Sequence, residues 1–544
     1  MQLISGTRQN VLLCALMCCL SLRATGAFAE SPAQDCERIN QLKLQGVSVI
    51  DAQLVEAGGL KFTDGRTDAS INAFCRVKAT AVPSKDSDIR FEVWLPAADW
   101  NRRLWGIGNG WFAGSISEQG LAKRVAAGYA TVGTDTGHQA QAIDTSWALG
   151  HPDKVIDFGH RAIHVVSVHA KQIASAFYGH APVHSYFGSC SNGGREALME
   201  AQRYPDDYDG IIAGAAGADW THIFLGSAVI SLQWLAPGAS YLPARKLPAI
   251  HAAVLAACDS RDGIKDGVID EPRNCKFDPS LLACKGAESD SCLTIGQLST
   301  LRNLFRGPAL SSGKQLLPGY SLGAESGWRD SILGDGPAKT DTYQAVVGFF
   351  RNVVFEDAQW DPRLFDAAKA AKLAGLKSAP VLNATDPDLG NFFARGGKLI
   401  LFHGWSDSLL PAESTIEYYR RVVGAMGETR ARSGARLFIA PGMDHCGGGP
   451  GPNDFGQFDA GSGDPEFSLG AALQRWVEKA IAPEQIIATK RRDDGDPPGT
   501  VERRTRPLCA YPRVARYRGE GNPDEASSFA CGKDSRQVLD TNAR

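Results

Sequence analysis

The stretch Tyr186-Phe-Gly-Ser-Cys-Ser-Asn-Gly-Gly-Arg-Glu-Ala-Leu sets a serine, Ser191, between a β-rich apolar run and the start of a helical pattern. A serine on a sharp turn from strand to helix is exposed as a nucleophile. Such a turn brings two backbones close together, so its neighbours must be small. Ser189, Gly193 and Gly194 flank Ser191. Glycine is the usual residue two before the nucleophile, so this elbow is a variant, and Ser189 is the rival nucleophile. Ser191 is the better placed, because the residue after it starts the helix. The alternative is a glycine-rich turn whose serine only caps that helix.

A serine nucleophile needs a base for its proton and an acid to orient that base. Asp407 lies just past the apolar run Lys-Leu-Ile-Leu-Phe, and His445 just past Arg-Leu-Phe-Ile-Ala. Both follow Ser191 in the order Ser, Asp, His, which is the α/β-hydrolase order. His445 would take the Ser191 proton and return it to the leaving alcohol, while Asp407 holds the imidazole tautomer. Asp444 is a rival acid but adjoins His445 and would point elsewhere from the loop; Asp386 and Asp388 are weaker rivals, lying before the strand. An oxyanion needs two backbone N–H donors. Asn192, directly after the nucleophile, is one. The loop Gly-Ile-Gly-Asn-Gly-Trp-Phe-Ala-Gly supplies the other, assigned to Gly110, with Asn109 and Trp111 beside it; the alternative is an ordinary turn. His403 either lines the pocket, as Trp111 would, or braces its loop. His160 and His164 share a helix face, but no third metal ligand accompanies them.

These residues need strands to hold them. From Arg90 short apolar runs end in Gly, Asn and Asp, as buried parallel strands do. Helical and strand patterns then alternate through Gly214, the mark of an α/β sheet. After Trp220 the alternation breaks into a Pro- and Gly-rich stretch with four cysteines, read as an insertion over the sheet; regular order resumes before Lys398. The expected organisation is a signal peptide at 1–29, an α/β-hydrolase sheet from 30–220 and 381–544, and an inserted domain at 221–380.

The 544 residues are 43% hydrophobic and 22% charged, with net charge −3, so a globular body is expected and nothing favours nucleic acid or an acidic membrane surface. Arg8, the apolar run Val11–Leu22 and Ala27-Phe28-Ala29 form a secretory signal cleaved after Ala29. The alternative, a membrane anchor, needs a longer apolar run. Three of the 13 cysteines lie in the signal. The even remainder, in an exported chain, predicts disulfides. Neighbour pairing suggests Cys36–Cys75, Cys258–Cys275, Cys284–Cys292 and Cys509–Cys531. Cys190 and Cys446 are left over. One directly precedes Ser191 and the other directly follows His445, so a bond between them would tether the nucleophile's turn to the base's loop. The alternative is a free buried cysteine under the elbow.

Between Cys258 and Cys275, Asp259, Asp262 and Asp266 crowd a glycine-containing loop. Hard oxygen ligands suit Ca²⁺, with the carbonyls of Ile264 and Val268 completing the shell. EF-hand spacing is absent, and the alternative is a solvated acidic turn.

The segments Gly-Ser-Cys-Ser-Asn-Gly-Gly-Arg-Glu-Ala-Leu, His-Gly-Trp-Ser-Asp-Ser-Leu-Leu-Pro-Ala-Glu-Ser-Thr-Ile-Glu-Tyr-Tyr, Ala-Pro-Gly-Met-Asp-His-Cys-Gly-Gly-Gly-Pro-Gly-Pro-Asn-Asp-Phe and Arg-Thr-Arg-Pro-Leu-Cys-Ala-Tyr-Pro resemble the tannase and feruloyl esterase family, which also contains mono(2-hydroxyethyl) terephthalate hydrolase. The resemblance spans nearly the whole mature chain. It implies an α/β-hydrolase with a lid domain, acting on small-molecule esters of aromatic or phenolic acids. It also implies catalysis by Ser191, Asp407 and His445, a Cys190–Cys446 disulfide, and a structural calcium in the lid on Asp259, Asp262, Ile264, Asp266 and Val268. One departure is Trp111, where a further glycine is common. Phe349, Phe350 and Arg351 are pocket candidates in the lid, with core packing the better reading for the phenylalanines. The expectation is therefore a secreted or periplasmic serine esterase, with no nucleic-acid or membrane partner. A catalytically inactive binding module and a serine peptidase on the same fold are the alternatives.

Overall fold

A computed structural model describes residues 32–235, 241–461, 463–491 and 503–533. The expected signal peptide and its cleavage site lie outside the described residues. Nine strands form the central sheet: β1 (Val47–Val55), β2 (Phe74–Ala81), β3 (Ile89–Pro96), β4 (Arg103–Gly106), β5 (Ala130–Thr134), β6 (His184–Cys190), β7 (Gly210–Gly214), β8 (Lys398–Gly404) and β9 (Ala435–Ala440). Their spatial order is β1-β2-β3-β5-β4-β6-β7-β8-β9. The first three strands and β5 pair antiparallel, and the pairs from β5 to β9 are parallel.

The strands read as near-continuous apolar runs because both faces are covered. Successive side chains leave opposite faces. Val93, Leu104, Ile211 and Leu401 pack into one core, and their neighbours Trp94, Trp105, Ile212 and Phe402 into the other. Helix α1 (Glu118–Ala126) covers the second face with α5 (Leu469–Lys479). Helices α2 (Ala162–Tyr178), α3 (Asn192–Arg203) and α4 (Ala412–Met426) cover the first. In α2 the buried residues Ile163, Val166, Ala170, Ile173 and Phe177 recur at helical spacing, and the helix stops at Gly179, whose φ is +77°.

The chain between β7 and β8 adds no strand to the central sheet. It builds one core of its own and shares a second, aromatic one with Phe112, Ala148 and Phe158 from earlier in the chain. Phe224 packs against Phe349 at 4.8 Å between ring centroids and against Phe112 at 5.1 Å, so the inserted segment rests on the loop after β4. Its two ends are pinned together. Asn383 Nδ2 donates to Asp219 Oδ1 (2.8 Å), and Thr221 N donates to Asn383 Oδ1 (3.0 Å). No helix among the described residues is long and apolar enough to cross a membrane. Disulfides join Cys36–Cys75, Cys190–Cys446, Cys258–Cys275, Cys284–Cys292 and Cys509–Cys531.

Candidate active site

Ser191 sits on the turn between β6 and α3 with φ +64° and ψ −123°, a conformation that L-residues adopt only when their surroundings impose it. The surroundings are specific. Ser191 N donates to Gly214 O on the neighbouring strand end (2.9 Å), and Gly217 N donates to Ser191 O (3.2 Å). A Cβ on Gly193 would run into Ser189 Oγ, and one on Gly194 into Gly214 O. The small residues around the serine are therefore a steric requirement of the turn, and Ser189 is packed beneath it.

Asp407 follows β8 and His445 follows β9. The two loops are knitted by Trp405 N donating to Ala440 O (2.9 Å) and Ser406 N to Met443 O (3.0 Å). His445 Nδ1 donates to Asp407 Oδ2 at 2.8 Å. Asp407 is 1% exposed, and its Oδ1 accepts from Leu409 N (2.8 Å) and Leu410 N (2.7 Å). Burial alone would lift this carboxyl. The charge of His445 and the bonds from His403 and His445 outweigh burial, and it lies well below the ordinary carboxylate range. Burial likewise opposes ionisation of His445, but the Asp407 charge and hydrogen bond prevail and raise the imidazole above its ordinary value.

Asp444, the adjacent acid, faces elsewhere: its Oδ1 accepts from Ser408 N (2.9 Å) and His445 N (2.7 Å), clamping one loop to the other. Asp386 and Asp388 accept from amides two residues ahead of them, and the imidazole is bonded to Asp407 instead.

His403 does not line the cleft. It is fully buried behind Asp407, because β8 directs it toward α4. Its Nε2 faces only acceptors, Asp407 Oδ2 (2.9 Å) and Leu410 O (3.1 Å), so that nitrogen carries the proton, and Nδ1 accepts from Thr415 Oγ1 (2.8 Å). Trp111 does border the cleft, with φ +47°. The cleft has two halves. One is apolar, with Ser191 beside Trp220, Ile223 and Phe224; the other holds His445 beside Asp444 and the glycines after Cys446. Trp111, Thr342 and Leu409 border both, so Ser191 and His445 open onto one space. The Cys190–Cys446 disulfide, with Cα atoms 6.0 Å apart, links their loops from beneath.

Gly110 is exposed, and a Cβ there would meet nothing within 4 Å. Among the described residues, no protein acceptor is recorded for the N–H of Gly110 or of Asn192. Asn109 N is committed to Glu196 Oε2 at 2.9 Å, which removes it from the candidate donors.

Sequence reasoning missed the buried pair beside the elbow. Arg195 and Glu196 are 0% and 1% exposed. Burial pushes Glu196 up to about 7 against the pull of the Arg195 charge, and burial brings Arg195 down to about 10. A charged pair after a glycine-rich turn reads as a solvated helix face, and only the close packing of the elbow reveals otherwise.

Phe349 and Phe350 are fully buried in the insertion's aromatic core, and Arg351 Nη2 donates to Trp360 O (3.3 Å). His160 pairs with Tyr204 Oη (2.7 Å) and His164 with Asp207 Oδ2 (2.6 Å), so the two histidines serve different partners.

In the acidic loop, the Asp259 carboxylate accepts from Asp266 N and Gly267 N (both 3.1 Å), and Asp262 Oδ1 accepts from Ile264 N (3.1 Å). Val268 N donates to Asp266 Oδ1 (3.1 Å), while Asp266 Oδ2 is held by Arg506 Nη2 at 2.6 Å from the C-terminal strand Arg503–Cys509. A fourth acid, Asp270, has a buried Oδ1 with no partner. Asp259 and Asp262 thus turn onto the loop's own amides while Asp266 is shared between an amide and Arg506, and no group of three or more His, Cys, Asp or Glu side chains among the described residues is gathered as a ligand set.

The family model described as tannase and feruloyl esterase matches residues 75–532. An uncharacterised esterase of Xanthomonas campestris pv. campestris is 39% identical, covering 94% of each chain. The mono(2-hydroxyethyl) terephthalate hydrolase of Piscinibacter sakaiensis is 33% identical, covering 84% of this chain and 83% of its own. The crystal structure of feruloyl esterase B from Aspergillus oryzae superposes with a TM-score of 0.84 at 28% identity, over 92% of this chain and 100% of that one. With its α/β sheet and a match over most of its length, the chain belongs to the tannase and feruloyl esterase family and is an esterase.

Proposed function

We propose that the protein hydrolyses esters of aromatic or phenolic acids through an acyl-enzyme on Ser191. The observation that carries this reading is the 2.8 Å bond from His445 to Asp407 at the cleft that also exposes Ser191 on its left-handed turn. Ser191 Oγ forms a bond to the ester carbonyl carbon as His445 Nε2 takes its proton. The carbonyl electrons move to oxygen, held by the N–H groups of Asn192 and Gly110. The C–O bond to the alcohol breaks, and the alcohol leaves with the proton from His445. Water then attacks the acyl carbon by the same route and releases the acid. Asp407 keeps the proton on Nδ1 and balances the imidazolium. The apolar half of the cleft, with Trp111, Trp220 and Phe224, supports an aromatic acyl group, as do the names of the relatives.

The decisive experiment is labelling with a fluorophosphonate. The wild type should label, Ser191→Ala should not, and hydrolysis of a panel of feruloyl, galloyl and terephthaloyl esters should follow the labelling. A wild type that neither labels nor turns over any of them refutes the reading.

Two further parts belong to this proposal. The inserted segment acts as a lid that completes the acyl pocket, supported by its aromatic seat on the loop after β4. A calcium ion binds the loop of Asp259, Asp262 and Asp266 with the carbonyls of Ile264 and Val268, supported by the crowded carboxylates and the unpartnered Asp270 Oδ1. Such an ion would tie the loop together and take no part in the chemistry. The five disulfides support export to an oxidising compartment.

A further inference from the structure

We propose that Glu196 is the positioning residue that locks the two oxyanion-donating loops to one another, one carboxylate oxygen to each. The inference rests on the ester-hydrolysis reading above and names a residue that reading does not use.

Glu196 lies on α3, five residues beyond Ser191, and points back between the nucleophile's turn and the loop after β4. Its Oε2 accepts from Asn109 N (2.9 Å), the amide directly before Gly110. Its Oε1 accepts from Asn192 Nδ2 (2.9 Å), the side chain of the other donor residue. The two loops touch here with no spare volume: a Cβ on Gly108 would run into Glu196 Oε2 and would come within 2.9 Å of Gly193 Cα. The other side of the Asn109 loop is fixed by Asn109 Nδ2 donating to Ser115 O and Thr134 O, both at 2.9 Å.

The orientation of Asn192 is itself dictated. Its Oδ1 accepts from Arg195 Nε (2.8 Å), which leaves only its NH₂ to face Glu196. Arg195 cannot swing away, because its Nη atoms donate to Gly159 O (2.6 Å) and Phe158 O (3.0 Å), and its guanidinium lies over Phe158 and Trp220 at 4.7 and 5.1 Å from the ring centroids. Both Glu196 oxygens therefore meet donors whose direction is set elsewhere. Only a group with two acceptors fits. A glutamine must aim its NH₂ at the Asn109 N–H or at the Asn192 NH₂, and either way one loop is released. Oxyanion donors act through their distance to a charge that exists only in the transition state, so a shift of a fraction of an ångström is read in kcat.

The test is Glu196→Gln. A kcat reduced about 10- to 100-fold is expected, short of the roughly 10²–10³-fold cost of deleting a donor outright, with KM changed less than about threefold. The affinity for a trifluoromethyl ketone analogue, which forms an oxyanion on Ser191, should fall in parallel with kcat, while inhibition by the product acid should hold. The hydrogen-bond pattern also dictates a rescue. In the double variant Asn192→Asp with Glu196→Gln, the introduced aspartate accepts from Arg195 and from the glutamine NH₂, and the glutamine oxygen accepts from Asn109 N. This pair should recover most of kcat, whereas Asn192→Asp alone sets two carboxylates face to face and should not. A Glu196→Gln enzyme within threefold of wild-type kcat overturns the proposal. So does a double variant that fails to fold or keeps under a tenth of wild-type kcat. A wild type that no fluorophosphonate labels refutes the ester-hydrolysis reading instead, so the two failures are separable.

Discussion

Cys190 and Cys446 are bonded to one another, and each is the chain neighbour of a residue that exchanges a proton in the proposed mechanism: Cys190 precedes Ser191 and Cys446 follows His445. Ser191 and Cys446 both hold positive φ, +64° and +65°, so the two turns on either side of the bridge are conformationally demanding. Replacing both cysteines by alanine removes the tether from both turns. Unfolding stability should fall by roughly 2–5 kcal/mol, since the bond closes a loop of 256 residues. Because the turns also lose registry with each other, kcat should fall about tenfold or more at a temperature where the variant remains folded. Full activity with lowered stability would limit the bond to a structural role.

Asp407 Oδ2 accepts from two imidazoles, His445 at 2.8 Å and His403 at 2.9 Å. The buried one fixes where that oxygen stands. His403→Phe should fold, because Asp407 keeps the amides of Leu409 and Leu410, but the carboxylate loses one of two restraints on the oxygen that orients the base. The expected result is kcat lowered by about tenfold, well short of the roughly 10⁴-fold loss that follows when the acid itself is changed to an amide. An unchanged kcat in a folded His403→Phe enzyme would assign His403 to stability alone.

The pH profile follows from two shifts. The base form of His445 must be neutral, and Asp407 raises its imidazole, so kcat/KM should climb with pH through a value above the ordinary 6.5 or so. Glu196, pushed up to about 7 by burial, faces Arg195, the Asn109 amide and the Asn192 amide, and its protonation sets an O–H against a donor. Two groups therefore lose activity as pH falls, and the acid limb of log kcat/KM should be steeper than one proton. In Asp407→Asn the His445 part of the limb should move to lower pH while the plateau drops. A limb of unit slope centred below pH 6 in the wild type would contradict both assignments.

The turn at Ser191, the Asp407–His445 pair and four of the five disulfides were legible from local cues: small residues at fixed offsets, a polar residue at the end of an apolar run, cysteines near one another; Cys190–Cys446, 256 residues apart, followed from what neighbour pairing left over and from the family resemblance. The roles of Asp444, His403 and Glu196 were not. Asp444 was expected to point away from the imidazole because it adjoins His445, and it does, but the amides of Ser408 and His445 that it clamps have no local signature. His403 sits in a strand whose inward and outward faces are both buried, so periodicity cannot say which side it serves. Glu196 is identified only by what the β4 loop brings against α3, a contact between residues 87 apart in the chain. The reach of Arg504 and Arg506 from the C-terminal strand to Asp266 is longer still and has no local signature.

That last contact shapes the metal prediction. Asp266 Oδ2 is paired with Arg506 at 2.6 Å, so the loop is anchored to the C-terminal strands with or without an ion. Chelation should therefore lower the melting temperature by a few degrees rather than unfold the protein, and Asp262→Asn should reproduce that loss without chelator. Elemental analysis of the purified protein should return about one calcium per chain. Protein free of calcium whose melting is indifferent to chelator would remove the ion from the structure.

One wall of the apolar half of the cleft is a helix, Trp220–Leu232, on which Trp220, Ile223, Phe224 and Ser227 recur at spacings of three and four and so share one face, alongside Trp111, Leu409 and Leu410 from other loops. Ser227 is the smallest of the four, so on the proposed reading it leaves room for an acyl ring. Ser227→Leu would fill that room with carbon and leave Ser191, His445 and Asp407 untouched. Hydrolysis of a feruloyl ester should then lose roughly tenfold or more in kcat/KM, about 1.4 kcal/mol, because a ring displaced from its seat takes its carbonyl away from the oxyanion donors. Hydrolysis of the corresponding acetyl ester, whose acyl group never reaches Ser227, should stay within about twofold. The two rates measured side by side separate a pocket that seats an aromatic acyl group from one that seats the alcohol: if the variant loses acetyl and feruloyl hydrolysis equally, or loses only when the alcohol is enlarged, the acyl assignment of this half of the cleft is wrong.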